Sequence, residues 1–164
     1  MNIVSTRHLN PQTVQHFFID HWGSSEMVVS TGVYDCKTLD GFAALNEQQD
    51  IVGLITYIIK ADVCEIVSLD SVEEGKGIGT ALLKRLETLV QEHGYNRIQL
   101  ITTNDNLNAL RFYQKRGYQL MRVFPNAVEK ARRLKPSIPL TGFDGIPIRD
   151  ELLLEKQVEQ NISQ

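Results

Sequence analysis

Three sequence textures meet between residues 62 and 93, and their order restricts the fold more than any other feature of the chain. A strand-like apolar run, Asp62 to Leu69, leads into Glu73-Glu74-Gly75-Lys76-Gly77-Ile78-Gly79-Thr80, and then into a periodic stretch over 77–93. In that stretch Leu82, Leu83, Leu86, Leu89 and Val90 recur at helical spacing, making one apolar stripe suited to packing on a sheet. Glycine has no Cβ, so a loop rich in it lets a ligand come close to the main chain. A helix opening directly after such a loop offers unpaired first-turn N–H groups and the positive end of its dipole. Strand, loop and helix start together predict a seat for a phosphate or pyrophosphate, with a plain strand-to-helix turn as the alternative.

Two familiar phosphate loops do not fit. A Walker loop ends in Gly-Lys-Ser/Thr, whereas Lys76 lies between two glycines. A dinucleotide fingerprint spaces its third glycine one residue later and places an acid at the end of the next strand. Here the next strand-like run, Arg97 to Ile101, ends in Thr102 and Thr103.

A second motif lies downstream, Asn104-Asp105-Asn106-Leu107-Asn108-Ala109-Leu110-Arg111-Phe112-Tyr113-Gln114-Lys115-Arg116-Gly117-Tyr118. Asn and Asp at its start, Arg and Lys in its last turn and Gly117 beyond its end predict a capped helix over 106–116. Taken together, the two motifs resemble the GNAT N-acetyltransferase superfamily. Its loop has the form Arg/Gln-x-x-Gly-x-Gly/Ala, which Glu74-Gly75-Lys76-Gly77-Ile78-Gly79 matches except at the first position. Its second motif, Asn-x-x-Ala-x-x-Phe-Tyr-x-x-x-Gly-Phe/Tyr, is matched by Asn106, Ala109, Phe112, Tyr113, Gly117 and Tyr118. The match is firm over about residues 50–124 and looser elsewhere. Glu74 departs from the pattern, and Glu73 precedes it. Two carboxylates beside a diphosphate would weaken its binding by about 1 kcal/mol when screened at the surface.

The resemblance implies a fold and a chemistry. The expected fold is α/β (α+β), a mixed and mostly antiparallel sheet of six to seven strands with helices on both faces. The expected cofactor is acetyl-CoA as co-substrate, with no metal. By the resemblance, main-chain groups around Val67 and Leu69 hold pantetheine. The amides of Gly75, Lys76, Gly77, Ile78, Gly79 and Thr80 hold the diphosphate, and Asn106 fixes the pantetheine side. Tyr113 is expected to protonate the departing thiolate, a task suited to a phenol with pKa near ~10. Glu65 is the first choice for the base that takes the amine proton, and Asp70 is the second. Simple strand alternation places Glu65 and Val67 on one face, Ile66 and Ser68 on the other. His21 and Trp22, past the first helix, either line the acceptor pocket or close the core.

Bulk properties set the outer bounds. The 164 residues, 42% of them hydrophobic and 23% charged, suit one globular domain over 1–164. A net charge of −3 gives no general attraction to nucleic acid or to an anionic membrane. No run approaches the length of a spanning helix and no signal pattern opens the chain, so a cytoplasmic location is the expectation. Cys36 and Cys64 read as reduced thiols, and the scattered histidines give no metal site.

Patterning also predicts strands over 3–5, 27–30, 41–45, 51–60, 97–102, 118–124 and 151–155, and a helix from Pro11 to Asp20 with Val14, Phe17 and Phe18 inward. An extended insertion over 125–149 begins with a short basic helix, 127–135, and continues as loop. Its cations read as a solvated face or as recognition of an acidic substrate, and its length suggests a lid over the substrate. The expected activity is acetyl transfer to a primary amine of a small molecule or protein, by direct attack in a ternary complex. The rivals are a non-catalytic acyl-CoA-binding or regulatory module and a nucleotide-phosphate binder. A homodimer is compatible with the resemblance.

Overall fold

The computed structural model describes residues 1–160. Nine strands and four α-helices follow in the order β1 (Asn2–Ser5), α1 (Pro11–Trp22), β2 (Glu26–Val29), β3 (Gly32–Asp35), β4 (Asp40–Leu45), β5 (Ile51–Lys60), β6 (Val63–Ser71), α2 (Ile78–Glu92), β7 (Arg97–Thr103), α3 (Leu107–Gln114), β8 (Gln119–Phe124), α4 (Ala127–Leu134) and β9 (Glu151–Gln157). Seven strands form one mixed sheet in the order β1-β4-β5-β6-β7-β9-β8, and β2 and β3 form a separate hairpin. The α/β fold expected from the motifs is therefore the observed one. The strand β3 was not anticipated: Gly32-Val33-Tyr34-Asp35 is too short to show alternation.

Two compact units are distinguished, one of residues 1–27, 35–98 and 158–160, the other of 28–34 and 99–157. In the first unit β1, β4, β5 and β6 are antiparallel neighbours. The polar turn Asn46–Asp50 closes the β4–β5 hairpin through Asn46 N–H to the Asp50 carbonyl. Helix α1 starts where Asn10 caps the Gln12 N–H and Pro11 presets the first turn, and stops at Gly23 with φ 73°. It buries Val14, Phe17 and Phe18, the face read from the sequence. Helix α2 buries Ile78, Leu82, Leu83, Leu86 and Val90.

The two helices lie on opposite faces of this part of the sheet. Trp22 of α1 bonds Asp70, which pairs with Leu54 across the ladder. The guanidinium of Arg85 in α2 sits 4.5 Å from the centroid of Phe42, which pairs with Ile55. Leu54 and Ile55 are adjacent and so point to opposite faces.

Gly53 sets how closely α2 approaches β5. A Cβ there would stand 2.4 Å from Ile78 Cγ2 and 3.1 Å from Leu82 Cδ1. Because Ile78 opens α2, this contact also fixes where the helix starts. Gly53→Ala is expected to destabilise the protein by roughly 1–3 kcal/mol through overpacking, read as a lower urea midpoint with an unchanged slope.

Candidate active site

The glycine loop takes the backbone form its composition predicts. Gly75 and Gly77 both have φ 74°, the left-handed region, and no heavy atom lies within 4 Å of where their Cβ atoms would be. Glycine is thus needed at both for conformation, and the space beside them is open. Gly77 caps α2 without any side-chain hydrogen bond, so its first turn keeps the donors that a cap would otherwise use. Residues 72–77 are exposed. Lys76 pairs with Glu73 at 3.4 Å, with both side chains more than half exposed. That pairing offsets Glu73, while Glu74, the residue that departs from the family pattern, is exposed and screened by solvent.

Strand β6 corrects the face assignment made from alternation. Tyr57 pairs with Ile66 while the preceding Thr56 pairs with Ser68, so Val67 is an extra residue, a β-bulge. Every residue beyond it changes face. Through their partners Ile58, Thr56 and Leu54, residues Glu65, Ser68 and Asp70 come to share one face, the one that carries α1. Simple alternation would have put Glu65 and Asp70 on opposite faces. Val67 stands outside the β5–β6 register, so it is there that β6 leaves its regular pairing with β5. Leu69 pairs normally with Ile55.

Asp70 is the unusual carboxylate of this face. Its Oδ1 accepts a hydrogen bond from Trp22 Nε1–H at 3.1 Å, and its Oδ2 is buried with no partner. Burial pushes its pKa up to about 6, opposed by the Trp22 hydrogen bond and the charge of His21. Glu65 is 2% exposed and is engaged by another group, and pairs across the ladder with Ile58. Beside Asp70 the Thr56 and Ser68 hydroxyls bond each other at 2.5 Å, and both hydrogen-bond the thiol of Cys36. Cys36 and Cys64 are free and buried, with pKa values raised by burial to about 11 and about 12. Neither is a nucleophile near neutral pH.

In the second unit, Asn106 caps α3: its Oδ1 accepts from the Ala109 N–H at 3.1 Å. The cap takes one of the two acceptor positions of the amide oxygen and leaves the NH2 group unused by the cap. Tyr113 is 6% exposed and packs edge-on against Phe112 and Tyr118, at 5.1 and 5.4 Å between ring centroids. Helix α3 runs from Leu107 to Gln114, shorter than the predicted 106–116.

Two buried carboxylates of this unit were not singled out by sequence reading. Asp105, 2% exposed, accepts from Thr103 Oγ1 and from the Phe143 N–H, and a Cβ on Gly142 would stand 2.0 Å from its Oδ2. Glu151, 1% exposed, accepts from the N–H and hydroxyl of Ser30 at the tip of the β2–β3 hairpin. Both have partners far away in sequence, which no local pattern announces. Asn104 further holds the Arg149 and Asp150 N–H groups, and Arg132 donates to the carbonyls of Ile138, Pro139 and Ile148. The 125–149 segment is therefore bonded to Asp105 and Asn104, which precede α3, and is bonded internally through Arg132. Arg132 is taken up by that tethering and Arg133 by Glu129, which leaves neither displayed as a lone charge for an acidic substrate.

Among the described residues no group of three or more His, Cys, Asp or Glu could hold a metal ion, and no helix is long and apolar enough to cross a membrane.

Comparison with known proteins agrees with this geometry. The family model described as the acetyltransferase (GNAT) family matches residues 11–118. The uncharacterized protein YxbD of Bacillus subtilis is 57% identical over 159 residues, covering 97% of this chain and all of that one. An IAA acetyltransferase from Bacillus cereus superposes with a TM-score of 0.70 at 17% identity, over 95% of this chain and 99% of the other. A GNAT acetyltransferase from Elizabethkingia anophelis with acetyl-CoA bound gives 0.66 at 19% identity, over 95% and 98% of the two chains. With two linked motifs, the sheet they imply and a family model spanning both, the chain belongs to the GNAT acetyltransferase family.

Proposed function

We propose that the protein is an acetyl-CoA-dependent N-acetyltransferase acting on a primary amine of a small molecule or a protein, by direct attack. The observation that carries this reading is Asp70: a half-buried residue with one carboxylate oxygen held and the other buried without a partner, on the strand that leads into the glycine loop. The main-chain donors of residues 75–80 fit a diphosphate, and the interrupted pairing of β6 at Val67 suits a pantetheine arm running alongside. Acetyl-CoA is the co-substrate bound by the Elizabethkingia relative, and the same ligand is proposed here.

The amine nitrogen attacks the thioester carbonyl carbon, the carbon–sulfur bond breaks, and the nitrogen gives up a proton. Asp70 takes that proton on Oδ2. It is favoured over Glu65 because its free oxygen and its pKa of about 6 suit a base working near neutral pH, whereas Glu65 is engaged elsewhere. Tyr113 gives its phenolic proton to the CoA thiolate, following the family pattern around it, and Asn106 steadies the pantetheine side.

Thiol release from acetyl-CoA over a panel of amines tests the reading. Asp70→Asn should lower kcat at least ~100-fold while leaving acetyl-CoA affinity unchanged. Binding without turnover of any amine would instead indicate an acyl-CoA-binding module. Tyr113→Phe should reduce kcat roughly 10- to 100-fold with little change in the acetyl-CoA KM. Below pH about 6 the wild-type rate should fall tenfold per unit as Asp70 protonates. Stability gives an independent check. The folded-state pKa lies above the unfolded value, so the native state holds the extra proton between about pH 4 and 6 and loses stability as pH rises through that window. Asp70→Asn should escape this loss, gaining on wild type by roughly 2 kcal/mol between pH 4 and pH 7 in denaturant titrations.

A further inference from the structure

We infer that Trp22 is the positioning residue of the acceptor site: its indole N–H clamps Asp70 Oδ1 and leaves the unbonded Oδ2 as the oxygen that takes the amine proton. The inference rests on the reading of Asp70 as base, and adds to it what fixes that base and from where.

A carboxylate at a strand end has two equivalent oxygens and a rotatable Cβ–Cγ bond. Fixing one oxygen removes the rotation and makes the other the only proton acceptor. The clamp comes from α1, and the local sequence builds it closely. Gly23, with φ 73°, ends the helix directly after Trp22. Phe18, one turn earlier, holds the indole edge-on with centroids 5.6 Å apart. His21 stacks on Phe17 at 4.2 Å, and its Nδ1 meets the Phe17 carbonyl at 2.8 Å. The last turn of α1 is therefore held by two aromatic contacts, and the indole N–H reaches across to β6 without a mobile linker. An indole donates and cannot accept, so the contact favours the ionised carboxylate over the protonated one. Burial of Asp70 raises the lower pH limit at which the base works, and Trp22 draws that limit back down.

Among the ionisable groups on this face, Glu65 lies on β6 itself. From α1 there is His21, whose charge also favours the carboxylate. Beside it lies Cys36, a thiol that stays protonated over the pH range concerned because burial raises its pKa to about 11. From β5 come Leu54 and Thr56, neither of which titrates in that range.

Trp22 is the only tryptophan in the chain, so its emission reports the contact without any assay of activity. The experiment is a pH titration of intrinsic fluorescence in the wild type and in Asp70→Asn. A transition near pH 6 that disappears in Asp70→Asn is expected. Trp22→Phe keeps an aromatic ring against Phe18 and removes only the donor. It should move the acidic limb of the rate profile up by about half to one pH unit, with the acetyl-CoA KM unchanged. Emission that does not respond to Asp70→Asn, or a limb that stays in place in Trp22→Phe, overturns the inference. If Trp22→Phe proves too unstable to assay, the fluorescence titration of wild-type tryptophan decides alone. Failure of the base reading looks different: Asp70→Asn would then keep full turnover while the fluorescence transition still vanished.

Discussion

One extra residue in a strand organises the site. Without the bulge at Val67, β6 would alternate evenly along its length, and Glu65 and Asp70 would point into opposite layers of the protein. With it, Glu65, Ser68 and Asp70 look toward α1, while Ile66, Leu69 and Ser71 look toward α2 through their partners Tyr57, Ile55 and Gly53. The same insertion interrupts the β5–β6 ladder at Val67, just before the strand reaches the glycine loop. A bulge costs regular pairing and local strand geometry. Here it has two structural consequences: it turns the Asp70 carboxylate toward α1 and it interrupts the ladder shortly before the glycine loop.

The elements built on local signals were legible in the sequence. Pro11 at the start of α1, the leucine stripe of α2 and the glycines at 75 and 77 each carry their reason within a few residues, and each appears where it was expected. The bulge was not legible, because nothing in Cys64-Glu65-Ile66-Val67-Ser68 distinguishes an even strand from one with an added residue. Register is decided by the partner strand. The ranking of the two candidate bases therefore could not be settled from the sequence: Glu65 looked better by its neighbours in the chain, whereas the contacts of Asp70 come from Trp22, 48 residues away.

A similar lesson attaches to the 125–149 segment. Its length and its prolines and glycines suggested a lid. The structure adds that polar side chains, buried Asp105 and half-buried Asn104 and Arg132, bond the main chain of this segment at Phe143, Arg149, Ile138, Pro139 and Ile148. Gly142 is needed because the Asp105 carboxylate occupies the place of its Cβ. What reads in one dimension as an irregular insertion is held by contacts that are long in sequence and short in space.

The account stands on the main-chain donors of residues 75–80 taking a diphosphate and delivering its thioester beside β6. Isothermal calorimetry of the purified protein with acetyl-CoA at neutral pH tests that most directly. One molecule bound per chain, with affinity strongly reduced when Gly77 is replaced by valine and reduced by no more than about 1 kcal/mol when Lys76 is replaced by alanine, is the predicted result. No heat of association with acetyl-CoA or CoA would contradict it, and with it the chemistry assigned to Asp70.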